Sequence, residues 1–402
     1  MRRSTQLEIG REIVERLTDG STPMADDLFI NDPSIYTDAA RHQREFPIFF
    51  AERPLVMGAS CQIPDPGDHL TDDHTGTPLL IVRGNDGVVR TFANVCSHRG
   101  SRIVLDDGGC GARAFTCPYH AWVYGLDGSL RAVPGDGFAD LDRDQARLIQ
   151  FPTVERAGLI WVLPRPAAGA DLDLGPAVDE LLGPDLQADL DAFGLVDHYH
   201  YGTRHLSRRL NWKLTMDTFF ESYHFRQLHR NTIAPLIKSD MAPIRRWGDH
   251  HLMVGIRHTA EEFLEQPEDE WDVIGQTVLV YLLFPNTIFI MQRDHIELFR
   301  IFPGATVADS DIEISLFIPD DPTRGPDEAK ARRHWDANFD LLVETADVED
   351  FTNGATIQRS FESGVLDRVV YGRNEPLMHS WHRSLRRTVG EDIEGGSLSV
   401  SS

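Results

Sequence analysis

The chain has 402 residues, of which 41% are hydrophobic and 25% charged, a composition typical of a folded globular protein and not of a disordered or fibrous one. Its 39 basic and 63 acidic residues give a formal net charge of −24, which would repel nucleic-acid backbones and anionic membrane surfaces. We therefore expect no nucleic-acid partner and no membrane partner.

The N-terminal segment, residues 1–44, has apolar side chains near helical spacing at Ile9, Ile13 and Leu17. We predict a helical lead-in that packs on the C-terminal domain. Residues 1–10 lack the apolar core of a signal peptide, and no apolar run reaches the roughly 18–20 residues of a membrane helix. The sequence therefore predicts a cytoplasmic protein, and with only four cysteines we expect no disulfide framework in such a reducing compartment.

Short strands and turns follow over residues 45–165, for example Leu79–Val82, the turn Asn85–Gly87 and Leu159–Val162. This texture predicts a small all-β domain. The stretch Pro164–Ala170 is rich in Pro, Ala and Gly and indicates a linker.

Residues 166–402 mix helical patterns with strands and predict an α+β domain. The apolar run Thr277–Met291 is interrupted by Pro285-Asn286, which indicates two buried strands joined by a tight turn. The tail from residue 394 is rich in Gly and Ser, and we expect it to be disordered.

Two loops of the all-β domain each offer one thiolate and one imidazole. The first contains Cys96 and His98, and the second contains Cys117 and His120. Two Cys and two His suit either a tetrahedral zinc ion or a two-iron, two-sulfide cluster with both histidines on one iron. Since neutral imidazoles raise the reduction potential of such a cluster, the second alternative indicates a redox function.

The other two cysteines, Cys61 and Cys110, have no histidine at loop spacing, and we expect them to be structural. The glycines around Cys110, over residues 108–111, precede no helical pattern and indicate a β-turn, not a nucleotide-binding loop.

A second group of metal-binding side chains falls within residues 211–230, which we predict to form one helix. Asp217, Glu221 and His224 then share one face, while an ideal helix places His229 about 140° from His224. The helix must therefore end or distort if both histidines bind one metal. The acids and His224 are also compatible with the solvated side of an amphipathic helix. Five apolar residues of this segment lie at helical spacing and should face the core: Trp212, Met216, Phe219, Phe220 and Tyr223.

These motifs resemble those of the Rieske non-haem iron oxygenases, in particular the alpha subunit of aromatic-ring-hydroxylating dioxygenases. The resemblance is carried by three segments of the sequence: Asn94–Gly100, Cys117–Trp122, and Asn211-Trp212-Lys213 followed by Glu221–His224 and His229. It implies a Rieske [2Fe-2S] cluster with Cys96 and Cys117 on one iron and with His98 and His120 on the other.

The resemblance also implies a mononuclear Fe(II) bound by His224, His229 and a carboxylate. Two histidines and one carboxylate form a facial triad that leaves coordination positions open. The segment Val348–Phe351 resembles the one that carries the third ligand, and we choose Asp350. Spacing alone does not exclude Asp347 or Glu349.

In this family, the acid three residues before the first histidine connects the iron ligand to a Rieske histidine of the neighbouring subunit. Here that acid is Glu221, which would link His224 to His120 of the adjacent chain. Many relatives have Asp at this position, and Glu resembles a subset that includes quaternary-amine oxygenases. We predict Glu221 and Asp217 as catalytic residues.

The resemblance implies an all-β Rieske domain followed by a helix-grip catalytic domain, assembled as a homotrimer. The expected function is the terminal oxygenase component of a multicomponent system, which takes electrons from a ferredoxin or flavin reductase. It would use O2 to hydroxylate an aromatic or other hydrophobic small molecule. The alternative is a monooxygenase that demethylates a quaternary amine or an N- or O-methyl compound.

Two further classes stay open from the residues alone. A pure electron-transfer protein would use only the cluster, but the second ligand set argues against it. A zinc-stabilised binding module would have no redox chemistry and would be colourless.

Overall fold

Two units of different architecture make up the chain in this computed structural model, which describes residues 1–165, 172–325 and 327–391. One unit comprises residues 47–187 and 194–197, and the other comprises residues 1–46, 188–193 and those from 198 onwards. The predicted domain boundaries at residues 44 and 165 stay predictions. Most of the predicted linker and the predicted disordered tail lie outside the described residues.

The N-terminal segment contains more than the expected helix. Its elements are α1 (Arg3–Asp19), β1 (Phe29–Asn31), α2 (Ser34–Thr37) and α3 (Ala39–Phe50). In α1, Ile9 and Ile13 are fully buried, as their spacing predicts. A Cβ atom on Gly10 would lie 2.5 Å from the Trp271 ring. The glycine therefore permits α1 to pack closely against Trp271, which belongs to the same unit.

Antiparallel sheets form the unit of residues 47–187. Within the described residues, its strands make one sheet of five, in the order β10-β5-β4-β3-β6, and two of three, β11-β12-β2 and β7-β8-β9. The predicted strands near residues 79–82, 88–92 and 159–162 are present. The strands are β2 (Leu55–Ala59), β3 (His69–Asp72), β4 (Leu79–Arg83), β5 (Val89–Ala93), β6 (Gly108–Gly109), β7 (Phe115–Thr116), β8 (Val123–Tyr124), β9 (Leu130–Ala132), β10 (Gln150–Phe151), β11 (Thr153–Arg156) and β12 (Leu159–Val162).

The other unit contains a seven-stranded antiparallel sheet with helices, and the first strand of this sheet follows α4 (Gly175–Asp191). The strand order is β13-β19-β18-β17-β16-β15-β14. The two strands predicted from the apolar run are β16 and β17, and the residue pair next to their turn is Leu283 with Thr287. The strands are β13 (Tyr199–Arg208), β14 (Ile244–Trp247), β15 (His250–Ile256), β16 (Thr277–Leu283), β17 (Thr287–Met291), β18 (Ile296–Pro303), β19 (Ser310–Ile318) and, paired with β1, β20 (Val369–Tyr371).

Helices of this unit carry or support the predicted ligands. They are α5 (Trp212–Asp217), α6 (Glu328–Val343), α7 (Thr352–Glu362) and α8 (Pro376–Thr388). A π-helical segment, Glu344–Phe351, joins α6 to α7. Among the described helices, none has the length and apolar character needed to cross a membrane.

The prediction of one helix over residues 211–230 is wrong. Helix α5 ends at Asp217, and a 3₁₀ turn, Tyr223–Arg226, follows. The Glu221 carboxylate accepts the backbone N–H groups of Tyr223 and His224, and such local side-chain bonds compete with helical backbone bonding.

Of the five apolar residues expected in the core, Trp212, Met216 and Phe220 are buried, and Phe219 is partly exposed. Tyr223 is 61% exposed because its segment leaves the helical path.

Candidate active site

The first Cys/His loop follows β5 and is shaped by Asn94. The buried Asn94 side chain donates to the Val104 carbonyl at 2.8 Å and accepts the N–H groups of Ile103 and Val104. The Gly100 N–H donates to the Cys96 carbonyl at 2.9 Å, with Gly100 in the left-handed region at a φ of 76°. These bonds place Cys96 in the core, where it is 2% exposed.

The second loop lies between β7 and β8. Cys117 donates its N–H to the Trp122 carbonyl at 2.8 Å, and the Ala121 N–H donates back to the Cys117 carbonyl at 3.0 Å. Ala121 has a φ of 55°, a left-handed conformation that is uncommon for a residue with a Cβ. The loop thus makes a tight reversal that buries Cys117 and leaves His120 half-buried.

The loops bring their side chains together in pairs. The rings of His98 and His120 have centroids 4.7 Å apart. Burial raises the pKa of Cys117, but the Tyr119 N–H and a side-chain hydrogen bond with Cys96 lower it by more, so the pKa is below its ordinary value. A lower pKa favours the thiolate form of Cys117, which is the form that binds metal.

This donor set fits a two-iron cluster better than a single zinc ion. A tetrahedral zinc ion bonds its ligands at about 2.0–2.3 Å, which brings all donor atoms within about 4 Å of one another. Over the described residues, no three donor atoms of Cys96, His98, Cys117 and His120 lie within 4.8 Å of one another. The Nδ1 atom of His98 is also buried without a hydrogen-bond partner among the described residues, as expected of a metal ligand.

The two remaining cysteines lie outside these loops. Cys61 is in the 3₁₀ turn after β2, where burial raises the pKa of its thiol to about 12. Cys110 is exposed.

In the second unit, three predicted ligands converge. The Nε2 atoms of His224 and His229 are 3.2 Å apart, and the Asp350 Oδ1 atom lies 3.0 Å from the latter and 3.6 Å from the former. Metal bonds of about 2.0–2.2 Å at right angles separate ligands by about 3 Å. The Oδ1 atom is buried and has no hydrogen bond of good geometry among the described residues. The three side chains therefore fit a facial triad.

In both histidines, the second ring nitrogen, Nδ1, forms a hydrogen bond to a carboxylate that orients the ring. His224 donates through Nδ1 to the Glu221 carboxylate. His229 donates through Nδ1 to Glu349 Oε2 at 2.6 Å, and Thr232 donates to the same oxygen. Such bonds fix the tautomer and direct each Nε2 toward a metal.

The three acids that spacing allowed as the third ligand have different partners in the structure. Asp347 forms a two-pronged ion pair with Arg208, and Glu349 accepts from His229. Only Asp350 joins the two histidines. All three lie on the π-helical segment, a kind of turn that is frequent at functional sites.

Charges in the triad influence one another strongly. Burial raises the pKa of the Asp350 carboxyl, while His229 and His224 oppose this change without reversing it. Burial lowers the pKa of His229, but Asp350 and then Glu349 raise it by more, so it lies above its ordinary value. The triad is thus a buried, charge-coupled group suited to a cation.

Asp217, the other predicted catalytic acid, bonds neither His224 nor His229 among the described residues. Its carboxylate accepts from the Tyr36 hydroxyl and contacts His382 Nε2 at 3.1 Å, and the Tyr36 and Tyr371 hydroxyls are 2.6 Å apart. Asp217 and Glu221 both line a cavity of about 200 Å³, the second cavity. Since α5 ends at Asp217, the two acids do not share one helix face.

A larger cavity of about 310 Å³, the first cavity, has the triad in its wall. An apolar cavity of about 150 Å³ is enough for benzene, so this volume accommodates a small aromatic molecule. Much of its lining is apolar, including Phe219, Phe225, Ile233, Val278, Ile290 and Phe299.

The first cavity also has polar lining residues that sequence reasoning missed. They include Arg257, Gln292, His295 and Glu297, which stand at the ends of strands or between them. Isolated polar residues at strand ends carry no periodic signal, so the sequence did not single them out. The same holds for Tyr36 and His382, whose contact with Asp217 joins distant parts of the chain.

Comparison with protein families supports the two-domain interpretation. A model described as the Rieske [2Fe-2S] domain matches residues 53–141, and one described as the ring hydroxylating alpha subunit (catalytic domain) matches residues 195–391. The predicted fold class and the predicted pair of cofactors, a Rieske cluster and non-haem iron, are thereby confirmed at the level of these domains.

Curated relatives include both dioxygenases and monooxygenases. The chain is 34% identical to the biphenyl 2,3-dioxygenase alpha subunit of Rhodococcus jostii, over 48% of this chain and 40% of that protein. It is 31% identical to the glycine betaine monooxygenase oxygenase subunit of Chromohalobacter salexigens, over 56% and 47% respectively. It is 32% identical to the carnitine monooxygenase oxygenase subunit of Escherichia coli, over 48% and 50%. The matched region spans about half the length of these relatives.

Solved structures share the fold over nearly the whole chain. A quaternary ammonium Rieske monooxygenase in complex with L-carnitine has a TM-score of 0.70 at 20% identity, covering 90% of this chain and 96% of that one. Naphthalene 1,2-dioxygenase from Rhodococcus sp. bound to indole has a TM-score of 0.71 at 19% identity, covering 95% and 98%.

Proposed function

Because the chain belongs to the Rieske oxygenases, we propose that it is the terminal oxygenase component of a multicomponent system. It would use O2 and electrons from a ferredoxin or flavin reductase to hydroxylate an aromatic or other hydrophobic small molecule. One observation carries the proposal: the His224, His229 and Asp350 donor atoms converge in the wall of an apolar cavity.

The chain's own residues would hold two groups. Cys96, His98, Cys117 and His120 would bind the Rieske cluster, and the triad would bind the mononuclear iron. When bound, the cluster supplies one-electron transfer and the iron supplies activation of O2. The apolar wall of the first cavity would hold the substrate beside the triad and exclude water from it.

We assign Glu221 two tasks. Its bond to Nδ1 of His224 directs Nε2 into the triad. Its position in the wall of the second cavity would also let it face the Rieske domain of a neighbouring copy, as in a homotrimer. Asp217 lines the same cavity, and we propose that it supports this path through its bonds with Tyr36 and His382.

A second function is oxidative demethylation of a quaternary amine or an N- or O-methyl compound. Two observations favour it: relatives include glycine betaine and carnitine monooxygenases, and the acid before His224 is Glu, not Asp. Formation of formaldehyde would distinguish demethylation from ring hydroxylation.

Metal analysis followed by a single turnover tests the proposal. We expect about three irons and two acid-labile sulfides per chain in anaerobically purified protein, from one cluster and one triad. Chemically reduced protein should then convert an aromatic compound with isotope-labelled O2 into a labelled hydroxylated product. Zinc in place of iron, or two irons with no product from any of a panel of substrates, would contradict the proposal.

A further inference from the structure

One end of the first cavity is charged. Arg257 directly follows β15, Gln292 directly follows β17, and Glu297 lies at the start of β18. Because β15 and β17 are both antiparallel to β16, and β18 is antiparallel to β17, these residues meet at one edge of the sheet. All three line the first cavity, whose wall also contains the triad.

The acids at this end already have partners. The Glu297 Oε1 atom accepts from Gln292 Nε2 and from His295 Nε2, each at 3.2 Å. The Asp294 Oδ1 atom lies 2.8 Å from His295 Nδ1. Since Glu297 and Asp294 share the imidazole of His295, their charges are partly balanced within the group.

Arg257 is a cation at this end of the cavity that lacks a paired acid among the described residues. Its Nη2 atom donates to Gln292 Oε1 at 2.9 Å, but its buried Nε atom has no hydrogen-bond partner within the described residues. Over the same part of the chain, no carboxylate lies within ion-pair distance of the guanidinium. A buried N–H donor without an acceptor carries a free-energy penalty, which a ligand with a hydrogen-bond acceptor would remove.

Building on the proposed function, we propose that Arg257 binds a carboxylate group of the substrate, which is therefore an aromatic or other apolar carboxylic acid. A guanidinium presents its N–H donors as a planar fork that matches a carboxylate. The Phe219, Phe225 and Phe299 side chains would receive the apolar part of the same molecule. A quaternary ammonium compound would meet the uncompensated positive charge of Arg257 and bind less well.

The electrostatics at this end agree with an anionic ligand. Burial lowers the pKa of Arg257, and the nearby cation Arg293 lowers it further, against the smaller opposing effects of Asp294 and Glu297. A bound carboxylate would relieve both unfavourable effects by supplying a negative charge at the guanidinium.

Calorimetric binding to the whole, anaerobically purified protein tests this inference. The probes are benzoate and 2-naphthoate, the matching amides benzamide and 2-naphthamide, and phenyltrimethylammonium. We expect at least one acid to bind about tenfold or more tightly than its amide, since hydrogen bonds to a charged group contribute that much. Phenyltrimethylammonium should bind most weakly.

Variants then assign the effect to Arg257. In R257Q, the acid should lose about tenfold or more in affinity while the amide changes by less than about threefold, which also shows that the cavity is intact. R257K keeps the charge but not the fork and should be intermediate. The matched control is R293Q, which changes an arginine that lines the same cavity but is exposed, and it should leave the acid's affinity within about threefold.

Several results would overturn the inference: equal affinity for acid and amide, tightest binding of phenyltrimethylammonium, no binding of either acid, or the same loss in R293Q as in R257Q. Equal loss of acid and amide in R257Q would show a structural role instead and would also overturn it. Selective binding of an acid without any turnover would support the inference while contradicting the proposed function. Turnover of a neutral or cationic compound, with no preference for binding the acids, would overturn the inference while supporting the proposed function.

Discussion

Glu349 accepts a hydrogen bond from Nδ1 of His229 at 2.6 Å, although the two residues are 120 positions apart in the chain. Because a carboxylate only accepts, the proton of the neutral ring must lie on Nδ1. The lone pair of Nε2 then faces the triad. Glu349 is thus a positioning residue for a proposed iron ligand.

Removing the Glu349 charge should weaken iron binding. In Glu349→Gln, we expect iron affinity to fall about 10–100-fold, since partners of metal-bound histidines have effects of this size. Competition with a chelator, followed by iron analysis, measures the change. The control is Glu344→Gln, the same substitution at an exposed position of the same segment. Equal iron retention in both variants would contradict the role of Glu349.

Asp350→Asn should empty the triad without affecting the cluster. An amide is a much weaker metal ligand than a carboxylate, so we expect about two irons per chain in place of about three, with unchanged sulfide. Asp347→Asn is the matched control, because Asp347 pairs with Arg208 instead of facing the histidines. Loss of iron in the Asp347 variant but not in the Asp350 variant would show that the ligand was assigned to the wrong acid.

Glu221→Gln should slow electron delivery. In protein saturated with iron, we expect oxidation of the reduced cluster by O2 in the presence of substrate to slow by about 10–100-fold. Rapid-mixing absorbance measures this rate, and the spectrum of the cluster should not change. Asp217→Asn should slow it less, because Asp217 bonds Tyr36 and His382 and not the ligands. An unchanged rate in Glu221→Gln would exclude Glu221 from the path.

Stability should depend on pH through His251. Burial, and to a smaller extent Arg246, lower the pKa of this histidine from 6.5 to about 3. Between these values the unfolded chain binds more protons, so the stabilising contribution is complete above pH 6.5 and is lost as the pH falls toward about 3.

His251→Gln removes this titration. We expect the free energy of unfolding to fall less steeply on acidification than in the parent protein, by up to about 1.4 kcal/mol per pH unit. Denaturant unfolding at about pH 5 and about pH 7.5 gives the comparison. At the higher pH, the two proteins differ through packing and through the hydrogen bond between His251 Nε2 and the Ser380 hydroxyl, and this difference serves as the control. Parallel pH profiles would contradict the prediction.

A buried ion pair joins α3 to α5. Lys213 Nζ is 2.5 Å from Glu45 Oε2, and Arg41 also pairs with Glu45. Glu45→Gln leaves two cations without their acid and should cost about 3–5 kcal/mol of unfolding free energy. Lys213→Met should cost less, because Glu45 keeps Arg41.

Denaturant unfolding of both single variants and the double variant checks this order. The double variant should be more stable than the sum of the single effects implies, since the two residues interact directly. Strict additivity would contradict the coupling.

Sequence reasoning was most informative where residues that act together lie close along the chain. Cys96 with His98, and Cys117 with His120, sit within single loops, so their spacing carried the information. The strands β16 and β17 were visible for the same reason, as one apolar run broken by Pro285-Asn286.

Contacts made by folding were not visible. Helical periodicity could not detect that the Glu221 carboxylate bonds the backbone N–H groups of Tyr223 and His224, and the predicted helix was therefore too long. The choice of Asp350 over Asp347 and Glu349 depended on resemblance alone. Only the packed structure shows that Asp347 forms an ion pair with Arg208 and that Glu349 accepts a hydrogen bond from His229. Arg257 had no sequence signal at all.

The π-helical segment Glu344–Phe351 has a consequence for how this site can change over evolution. A π turn holds one residue more than an α turn, so losing a single residue there would restore an ordinary helix. The rest of the helix would keep its packing, but the three acids would rotate out of register with His229. The position of the proposed third ligand is thus encoded by the length of the chain as well as by its residue types, and we expect a single-codon deletion to be more damaging here than most substitutions.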